Sequence, residues 1–483
     1  MTNTTTVRAL KIAVMTGEAL ALGWLLATED LRPVATVAVS AAGIASIVAV
    51  GISNWPLGAV SILTAASAMP RLRMTLFGLH VRPEHVAIGF TLTAIVVQVF
   101  RQQIRPKLEL RRFDLYLLAY IAANFLSSAL TSPDRRMTLR WAALNALVIT
   151  PYFLFRMLLK SEPAIRTAMR VLLCVGVAES ACGIISFLSN RLFDTQFGVE
   201  SQQYGFIPGV HGTQYEANLF GSYCASAALM CLTLWLLSHP RRALYAWGFG
   251  LGLIGALISL ARSVYLAIPV AIVFVLWAAF KTGRAEFRIL VRLAAGIAIL
   301  LVALSPLIYN FVVERFSTLD VTELSDDTTL NRLVQTMVAL DDVRAHPIMG
   351  MGTSSFQLVF DWADYGLEGM KANSDEGGWI SNTPLRIAHD TGAIGLTISL
   401  LFLGSLTRAC YRAIKVGNDE QRTGILALAA GLLLYAITFQ ATEATLLSFT
   451  WVHVGLFAAF IVTVENQHSA RPAENAMPSD FAP

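Results

Sequence analysis

Charged residues are scarce in this chain of 483 residues: Asp, Glu, Lys and Arg make up 14% of it, whereas hydrophobic residues reach 55%. Soluble globular proteins carry about 25% charged residues. Apolar runs of about 18 residues, the length that crosses a bilayer, recur along the chain. These features exclude a soluble enzyme, a disulfide-bonded secreted scaffold and a porin-like barrel, whose strands alternate polar and apolar residues. We therefore predict an all-α polytopic membrane protein with about 12–14 transmembrane helices.

Motifs for nucleotides and metals are also missing. The sequence has no phosphate-binding Walker motif, no Cys-x-x-Cys pair and no His-Glu-x-x-His, and its five cysteines lack metal spacing, so they are expected to be small buried residues. Gly250–Gly255 matches Gly-x-Gly-x-x-Gly, but no strand precedes it, which favours close helix packing over dinucleotide binding. We therefore predict no metal and no soluble cofactor. We also predict no nucleic-acid partner, because the basic residues lie in short loops rather than along one stripe.

Fourteen apolar segments are candidate spans, of which 55–69 and 85–100 are short enough to be re-entrant or interfacial. The complete set is 9–27, 33–52, 55–69, 85–100, 113–130, 138–159, 164–188, 218–238, 244–261, 263–280, 289–309, 392–411, 424–440 and 447–465.

Lysine and arginine concentrate in alternate loops, which predicts that these loops and both termini are cytoplasmic. The basic loops are 101–112, 156–170, 241–242, 281–292 and 408–422. Residues 70–85 disagree, because they carry three arginines on the predicted outer side. The protein is thus expected in the cytoplasmic membrane, with N-terminal spans over 1–189, a second transmembrane region over 190–466 and a disordered cytoplasmic tail over 467–483.

Two outward segments, 190–217 and 310–391, are too long and polar to be simple connectors. The second holds 13 acidic and 5 basic residues. Within it, residues 328–345 space their apolar side chains as an amphipathic helix at the membrane surface does, and His346–Phe356 reads as a tight turn. A loop of this length is expected to carry function, so any chemistry should occur on the outer face.

Ionisable residues within or near spans are costly to bury in lipid and are therefore candidates for function. Arg262 could present its guanidinium to phosphate oxygens, or serve as a topological anchor or ion-pair partner. Arg140 has the same two interpretations, whereas the glutamates are expected to be packed polar contacts: Glu18, Glu179 and Glu443.

Four motifs, in order, resemble those of the O-antigen ligase/O-antigen polymerase superfamily of bacterial envelope glycan enzymes. They are Gly212–Gly221, entering a span; Arg262-Ser263, followed by Arg332 in the long loop; the His-Pro-x-x-Gly-x-Gly stretch at His346–Phe356; and a closing Ser381-Asn382, nine residues, then Gly392-Ala393-Ile394-Gly395. The family has His in the first position of the closing motif. Here Ser381 replaces it and the nearest imidazole is His389, which shifts weight from a ligase to a polymerase-like or divergent member.

The resemblance implies a membrane glycosyltransferase whose donor is a glycan on undecaprenyl pyrophosphate and whose acceptor is a glycan or lipid-linked glycan. A sugar hydroxyl attacks the anomeric carbon with inversion and without a metal. Arg262 and Arg332 are the predicted catalytic cations, and His389, or else Asp390 or Glu216, the predicted base. Predicted substrate contacts come from six residues: Ser381, Asn382, Arg140, Glu216, Asn218 and His211. Flippase and chain-length regulator proteins are possible partners.

Other classes of function stay open. A flippase or transporter for the same glycan would suit the many spans, although transporters place polar sites near the bilayer midplane, whereas here polar residues concentrate in one outer loop. A ligase proper, or a non-catalytic assembly partner that lost the His, also fits the sequence.

Overall fold

The computed structural model describes residues 55–72, 74–76, 79–101, 108–200, 208–237, 242–281, 327–360 and 379–474, and these form a helical bundle. Its helices are α1 (Trp55–Ser67), α2 (Pro83–Phe100), α3 (Arg112–Leu130), α4 (Arg135–Leu158), α5 (Glu162–Phe193), α6 (Ala217–Leu237), α7 (Arg242–Ile258), α8 (Arg262–Lys281), α9 (Asp327–Ala345), α10 (Phe356–Val359), α11 (Thr383–Val416), α12 (Asp419–Thr438) and α13 (Ser448–Glu474). A short antiparallel hairpin, β1 (Met74–Leu76) and β2 (Leu79–Val81), precedes α2.

The helices confirm the prediction of an all-α polytopic membrane protein. Among the described residues, nine helices are long and apolar enough to cross a bilayer, and each predicted span within these residues corresponds to one helix. The shorter α1, with 13 residues, reaches only about 20 Å. The predicted spans 9–27, 33–52 and 289–309 lie outside the described residues, so the total of 12–14 stays a prediction.

The core of the bundle is built around α6, which is 94% buried over its apolar window. It packs against α5, α7, α8 and α12. Small residues allow close contacts here, since a Cβ on Gly252 of α7 would lie 2.9 Å from that of Ala228 on α6. Within Gly250–Gly255, Gly252 and Gly255 thus serve helix packing, whereas nothing lies within 4 Å of a Cβ on Gly250.

One end of the bundle collects the basic loops, and we call it the basic end. Arg156, at the end of α4, is bound to buried Asp114 at 3.0 Å. Arg166 of α5 bridges to Glu420 at the start of α12, 2.8 Å away. Arg412 of α11 pairs with Glu465 of α13 at 3.0 Å. The opposite end, called the site end, is formed by α9, the start of α11 and the turn between α12 and α13.

Two boundaries differ from the sequence prediction. Helix α11 begins at Thr383, nine residues before the predicted span 392–411, because Asn382 caps it by accepting the Leu385 backbone N–H at 2.8 Å. Helix α13 continues to Glu474, into the segment predicted as a tail from 467. The residues after 474 lie outside the described part of the chain.

Helix α9 confirms the predicted amphipathic helix. Its inner face packs Val334, Val338 and Ala339 with Phe356 and Ile380. Its other face leaves apolar side chains exposed at Leu333, Met337 and Leu340. A helix of this kind suits the membrane interface, and it places its C-terminal end beside the start of α11.

Candidate functional site

Three ionisable side chains of α11 are buried together at the site end: Arg386, His389 and Asp390, with exposures of 5%, 0% and 4%. Arg386 and Asp390 are one helical turn apart, and Arg386 Nε lies 3.4 Å from Asp390 Oδ2. Burying a charge is costly unless it is paired and hydrogen-bonded, so the partners of these groups define the site.

The Arg386 guanidinium contacts a carboxylate, a hydroxyl and an aromatic ring. Its Nη1 lies 2.5 Å from Glu443 Oε2, in the turn between α12 and α13. Its Nη2 donates to Ser354 Oγ at 2.8 Å, and its guanidinium faces the Trp379 ring at 5.7 Å. The guanidinium is thereby fixed and joins α11 to two separate segments of the chain.

His389 contacts a carboxylate through each ring nitrogen. Nδ1 is 3.1 Å from Asp390 Oδ1, and Nε2 is 3.2 Å from Asp342 Oδ2 at the end of α9. The Phe356 ring meets the imidazole edge to face, with centroids 5.4 Å apart. The side chain of Asp342 is 24% exposed, whereas that of His389 is completely buried, so an incoming molecule meets the carboxylate before the imidazole.

The predicted tight turn at His346–Phe356 docks on a break in α11. The break is at Gly392, whose φ of 62° and ψ of −162° are not helical. Backbone bonds close the contact: Met351 N–H donates to His389 O at 2.9 Å, and Ala393 N–H donates to Pro347 O at 2.8 Å. Since Gly392 has no side chain, its backbone can approach the Ile348 carbonyl, with which any Cβ would collide.

The same turn is braced by α3. Ser354 adopts a positive φ of 57° and donates its N–H to Asp390 Oδ2 at 3.0 Å. Thr353 is bound to Asn124 Oδ1 of α3 at 2.9 Å, and Ser127 Oγ of α3 donates to Asp390 O at 2.7 Å. The His389–Asp390 backbone is therefore positioned by hydrogen bonds from two other elements.

The turn between α12 and α13, residues 439–447, supplies carbonyl oxygens to three elements. Arg332 Nη1 of α9 donates to Ala441 O at 3.1 Å. Asn382 Nδ2 donates to Gln440 O at 2.8 Å. Arg82, before α2, donates to Leu446 O at 3.3 Å and is itself buried. Arg332, Asn382 and Arg386 thus meet at one turn.

The other predicted residues of the long loop and its neighbours also lie at the site end. Arg262 begins α8 and is half-buried, and the buried Oγ of Ser263 beside it has no hydrogen-bond partner among the described residues. Arg140 is exposed near the start of α4. Its neighbour Trp141 meets Trp379 edge to face, with ring centroids 6.1 Å apart. Ser381 is half-buried just before α11.

The loop 208–216 forms a second polar region at this end, with predicted contacts His211, Glu216 and, at the start of α6, Asn218. His211 is buried against Arg71, and burial together with that guanidinium lowers its imidazole pKa to about 4. Thr213 fixes the loop to α5 by donating to Glu179 Oε2 at 2.7 Å.

Glu179 and Glu443 are both packed polar contacts, as predicted, whereas Glu18 lies outside the described residues.

The sequence analysis assigned no role to Arg386 or Asp342, which are central to this geometry. It also did not predict that Glu443 pairs with Arg386. The i, i+4 spacing of Arg386 and Asp390 was a usable signal. Nothing in the sequence indicates that Asp342 reaches His389, since 46 residues separate them. Within the described residues, no group of three or more His, Cys, Asp or Glu is arranged to hold a metal ion.

These features define a polytopic α-helical membrane protein with a buried charged cluster at one end of its bundle. Residues 247–400 match the family model described as O-antigen ligase. The match confirms the resemblance to the O-antigen ligase/O-antigen polymerase superfamily. It includes most of α7, all of α8, α9 and α10, and the first half of α11. No curated protein matches the chain.

Proposed function

We propose that this protein is a membrane glycosyltransferase that polymerises or transfers undecaprenyl-pyrophosphate-linked repeat units on the outer face of the cytoplasmic membrane. The supporting observation is that residues 247–400, which match the O-antigen ligase family, contain the His389 cluster together with Arg262 and Arg332. A cluster of this kind at the membrane surface, supported by three elements, suits chemistry on a lipid-anchored substrate.

The reaction needs positive charge where the pyrophosphate leaves, since the bond from the anomeric carbon breaks with its electron pair on the phosphate oxygen. We assign this role to Arg262 and Arg332, whose guanidinium groups match phosphate oxygens in geometry. Arg386, which is paired with Glu443 and Asp390, is not assigned this role. The Asp342–His389 pair would accept the proton of the attacking sugar hydroxyl.

Substrate contacts are proposed at two places. Ser381, Asn382 and Arg140 lie near the charged cluster and would contact the acceptor. His211, Glu216 and Asn218 lie by the loop 208–216 and would contact the donor glycan. The half-buried Trp379 offers an aromatic face beside the first group.

The proposed orientation places the basic end in the cytoplasm. At the basic end, ion pairs connect helix ends next to the predicted cytoplasmic loops. Cytoplasmic loops carry an excess of Lys and Arg. The arginines of 70–85 oppose this rule, but Arg82 is buried against Glu84 at 3.3 Å, so it is part of the packing and contributes little to a loop-charge count. The donor would therefore be used after it has reached the outer leaflet.

A deletion strain distinguishes the members of this class. Its lipid-linked intermediates are extracted and sized, and the leaflet that holds them is determined. Single repeat units on undecaprenyl pyrophosphate at the outer leaflet would establish a polymerase, which the absence of the family His at Ser381 favours. Polymerised lipid-linked glycan there would establish a ligase, and intermediates on the cytoplasmic leaflet would instead support a flippase.

Transfer by the purified protein in vesicles tests the residues. We expect Arg262→Ala and Arg332→Ala to reduce turnover by about 10²–10³-fold, the usual cost of losing a group that stabilises developing charge. Arg344→Ala is the control for Arg332, since Arg344 lies on the same helix, is 76% exposed and pairs only at the surface with Asp341. Lys281→Ala, at the far end of α8, is the control for Arg262. Unchanged turnover in both test variants would refute the assignment.

A further inference from the structure

We infer that Asp342, at the end of α9, is the group that takes the proton from the acceptor hydroxyl, and that His389 positions Asp342 rather than meeting the substrate. This inference rests on the proposed glycosyl transfer and deepens it. It reverses the roles expected from the sequence, in which His389 was the base and Asp342 had no role.

The first observation is access. His389 is 0% exposed, and the Phe356 ring meets its imidazole edge to face. Both its nitrogens face carboxylates, so an acceptor hydroxyl could reach Nε2 only after displacing Asp342. The Asp342 side chain is 24% exposed. Its Oδ2 is directed to His389, and no hydrogen bond to its Oδ1 comes from the described residues.

The second observation concerns the protons on the two ring nitrogens of His389. A ring nitrogen meets a carboxylate favourably only when it donates. An imidazole with Asp390 on one nitrogen and Asp342 on the other is therefore bound best with both nitrogens protonated. In that form it has no lone pair for a substrate proton, whereas the Asp342 carboxylate keeps its acceptor capacity.

The third observation is rigidity. Asp390 is held by Arg386 and by the Ser354 N–H, and the His389 carbonyl is held by Met351. His389 is thus a fixed donor, and its charge-assisted bond orients the Asp342 carboxylate. Asp342 in turn lies on an amphipathic helix whose exposed apolar face suits the membrane surface, where a lipid-linked substrate would be.

The step balances without a further reagent. The acceptor O–H bond breaks as its oxygen bonds to the anomeric carbon, and the bond from that carbon to pyrophosphate breaks with the electron pair leaving on phosphate. The proton ends on Asp342 Oδ1, from which it is lost to solvent. A carboxylate base that activates the nucleophile is a known arrangement in inverting sugar chemistry.

The test is a kinetic comparison of Asp342→Asn, Asp342→Glu and Asp341→Asn in vesicles with a lipid-linked glycan donor. We expect Asp342→Asn to lower kcat by about 10²–10⁴-fold, with the KM for the donor little changed, and Asp342→Glu to recover part of kcat. Asp341→Asn, at a neighbouring surface position with 72% exposure, should keep wild-type kcat. Thermal melting of each variant checks that it is folded.

The role of His389 is tested by rescue. If it positions Asp342, His389→Gln should retain more kcat than His389→Ala, because the amide can still donate to the carboxylate, and both should lose less than Asp342→Asn. If His389 is the base, its variants should lose at least as much as Asp342→Asn.

The two possible failures are distinguishable. Wild-type kcat in folded Asp342→Asn would overturn the inference while leaving the transferase function in place. Failure of the wild-type protein to transfer any glycan would overturn the proposed function and, with it, the role of Asp342.

Discussion

At the scale of single residues, the most demanding feature is the buried guanidinium of Arg386. Its charge lies 2.5 Å from Glu443 and 3.4 Å from Asp390, all three side chains being at most 10% exposed. Removing one partner of a buried ion pair costs about 3–5 kcal/mol, because the remaining charge is left uncompensated. Exposed pairs, in contrast, contribute about 0–1 kcal/mol.

We therefore expect Glu443→Ala to destabilise the protein by about 3–5 kcal/mol, measured as the shift of the unfolding transition in detergent. Asp341→Ala, which removes the exposed pair with Arg344, should shift the transition by less than about 1 kcal/mol. Equal shifts in the two variants would show that the Arg386 charge is solvated or bound by another group.

His211 gives a prediction about pH. Its pKa is lowered from 6.5 to about 4 in the folded protein, mainly by burial and also by Arg71. Between these values the unfolded chain binds more protons than the folded one, so stability is complete above about pH 6.5 and declines as the pH falls towards 4, by up to about 3 kcal/mol. In His211→Gln this part of the acid-dependent loss should be absent. Melting curves from pH 4 to 7 measure the difference, and parallel curves for the two proteins would contradict it.

At the scale of elements, the docking of the turn at His346–Phe356 on α11 depends on backbone rather than on side-chain size. Gly392 has φ of 62° and ψ of −162°, a combination that costs other residues about 1–3 kcal/mol, and the Ile348 carbonyl occupies the place of a Cβ.

Gly392→Ala should therefore separate the turn from α11, lower the melting temperature and reduce transfer, because His389 and Asp390 would lose the hydrogen bonds that position them. Gly404→Ala is the matched control on the same helix: nothing lies within 4 Å of its Cβ position, and it should stabilise the helix by up to about 1 kcal/mol. Limited proteolysis at 346–355 reports the separation directly. Resistance equal to wild type in Gly392→Ala would show that the turn does not depend on this contact.

The element scale also shows what the sequence could predict. Hydrophobic runs located every described helix that is long and apolar enough to cross a bilayer, because burial in lipid demands long apolar segments. The start of α11 was placed nine residues late, since Asp390 and His389 make the first turns too polar to read as a span. Motif order located His389, Asn382 and Arg332, whereas the partners of Arg386 and His389 come from distant segments that no local pattern connects.

At the scale of the whole molecule, charged side chains collect at the two ends of the bundle. The basic end carries exposed or half-exposed ion pairs such as Arg166–Glu420 and Arg412–Glu465. The site end has exposed arginines too, such as Arg140 and Arg344, whereas Arg82 and Arg386 there are buried. Between the two ends, exposed apolar side chains on α2, α8 and α11 form a surface suited to lipid.

Labelling of single cysteines with a membrane-impermeant maleimide tests the orientation, in a background where the five native cysteines are replaced. Asp341→Cys, on α9 at the site end, should react in intact cells. Glu420→Cys, at the basic end, should react only after the membrane is opened, and both positions are well exposed, at 72% and 77%. The reverse pattern would place the site in the cytoplasm and remove the outer-leaflet donor from the proposal.

The contact between the turn and α11 has a consequence for how such proteins can diversify. Several of the bonds that hold it run from main chain to main chain, through Met351, Ala393 and Pro347, while the side chain of Ile348 is 65% exposed. Mutation can therefore change the chemical character of this surface while the proposed catalytic groups keep their places. Under the proposed glycosyl transfer, a lineage could acquire selectivity for a new sugar by altering outward side chains of the turn, while the residues assigned to the reaction stay the same.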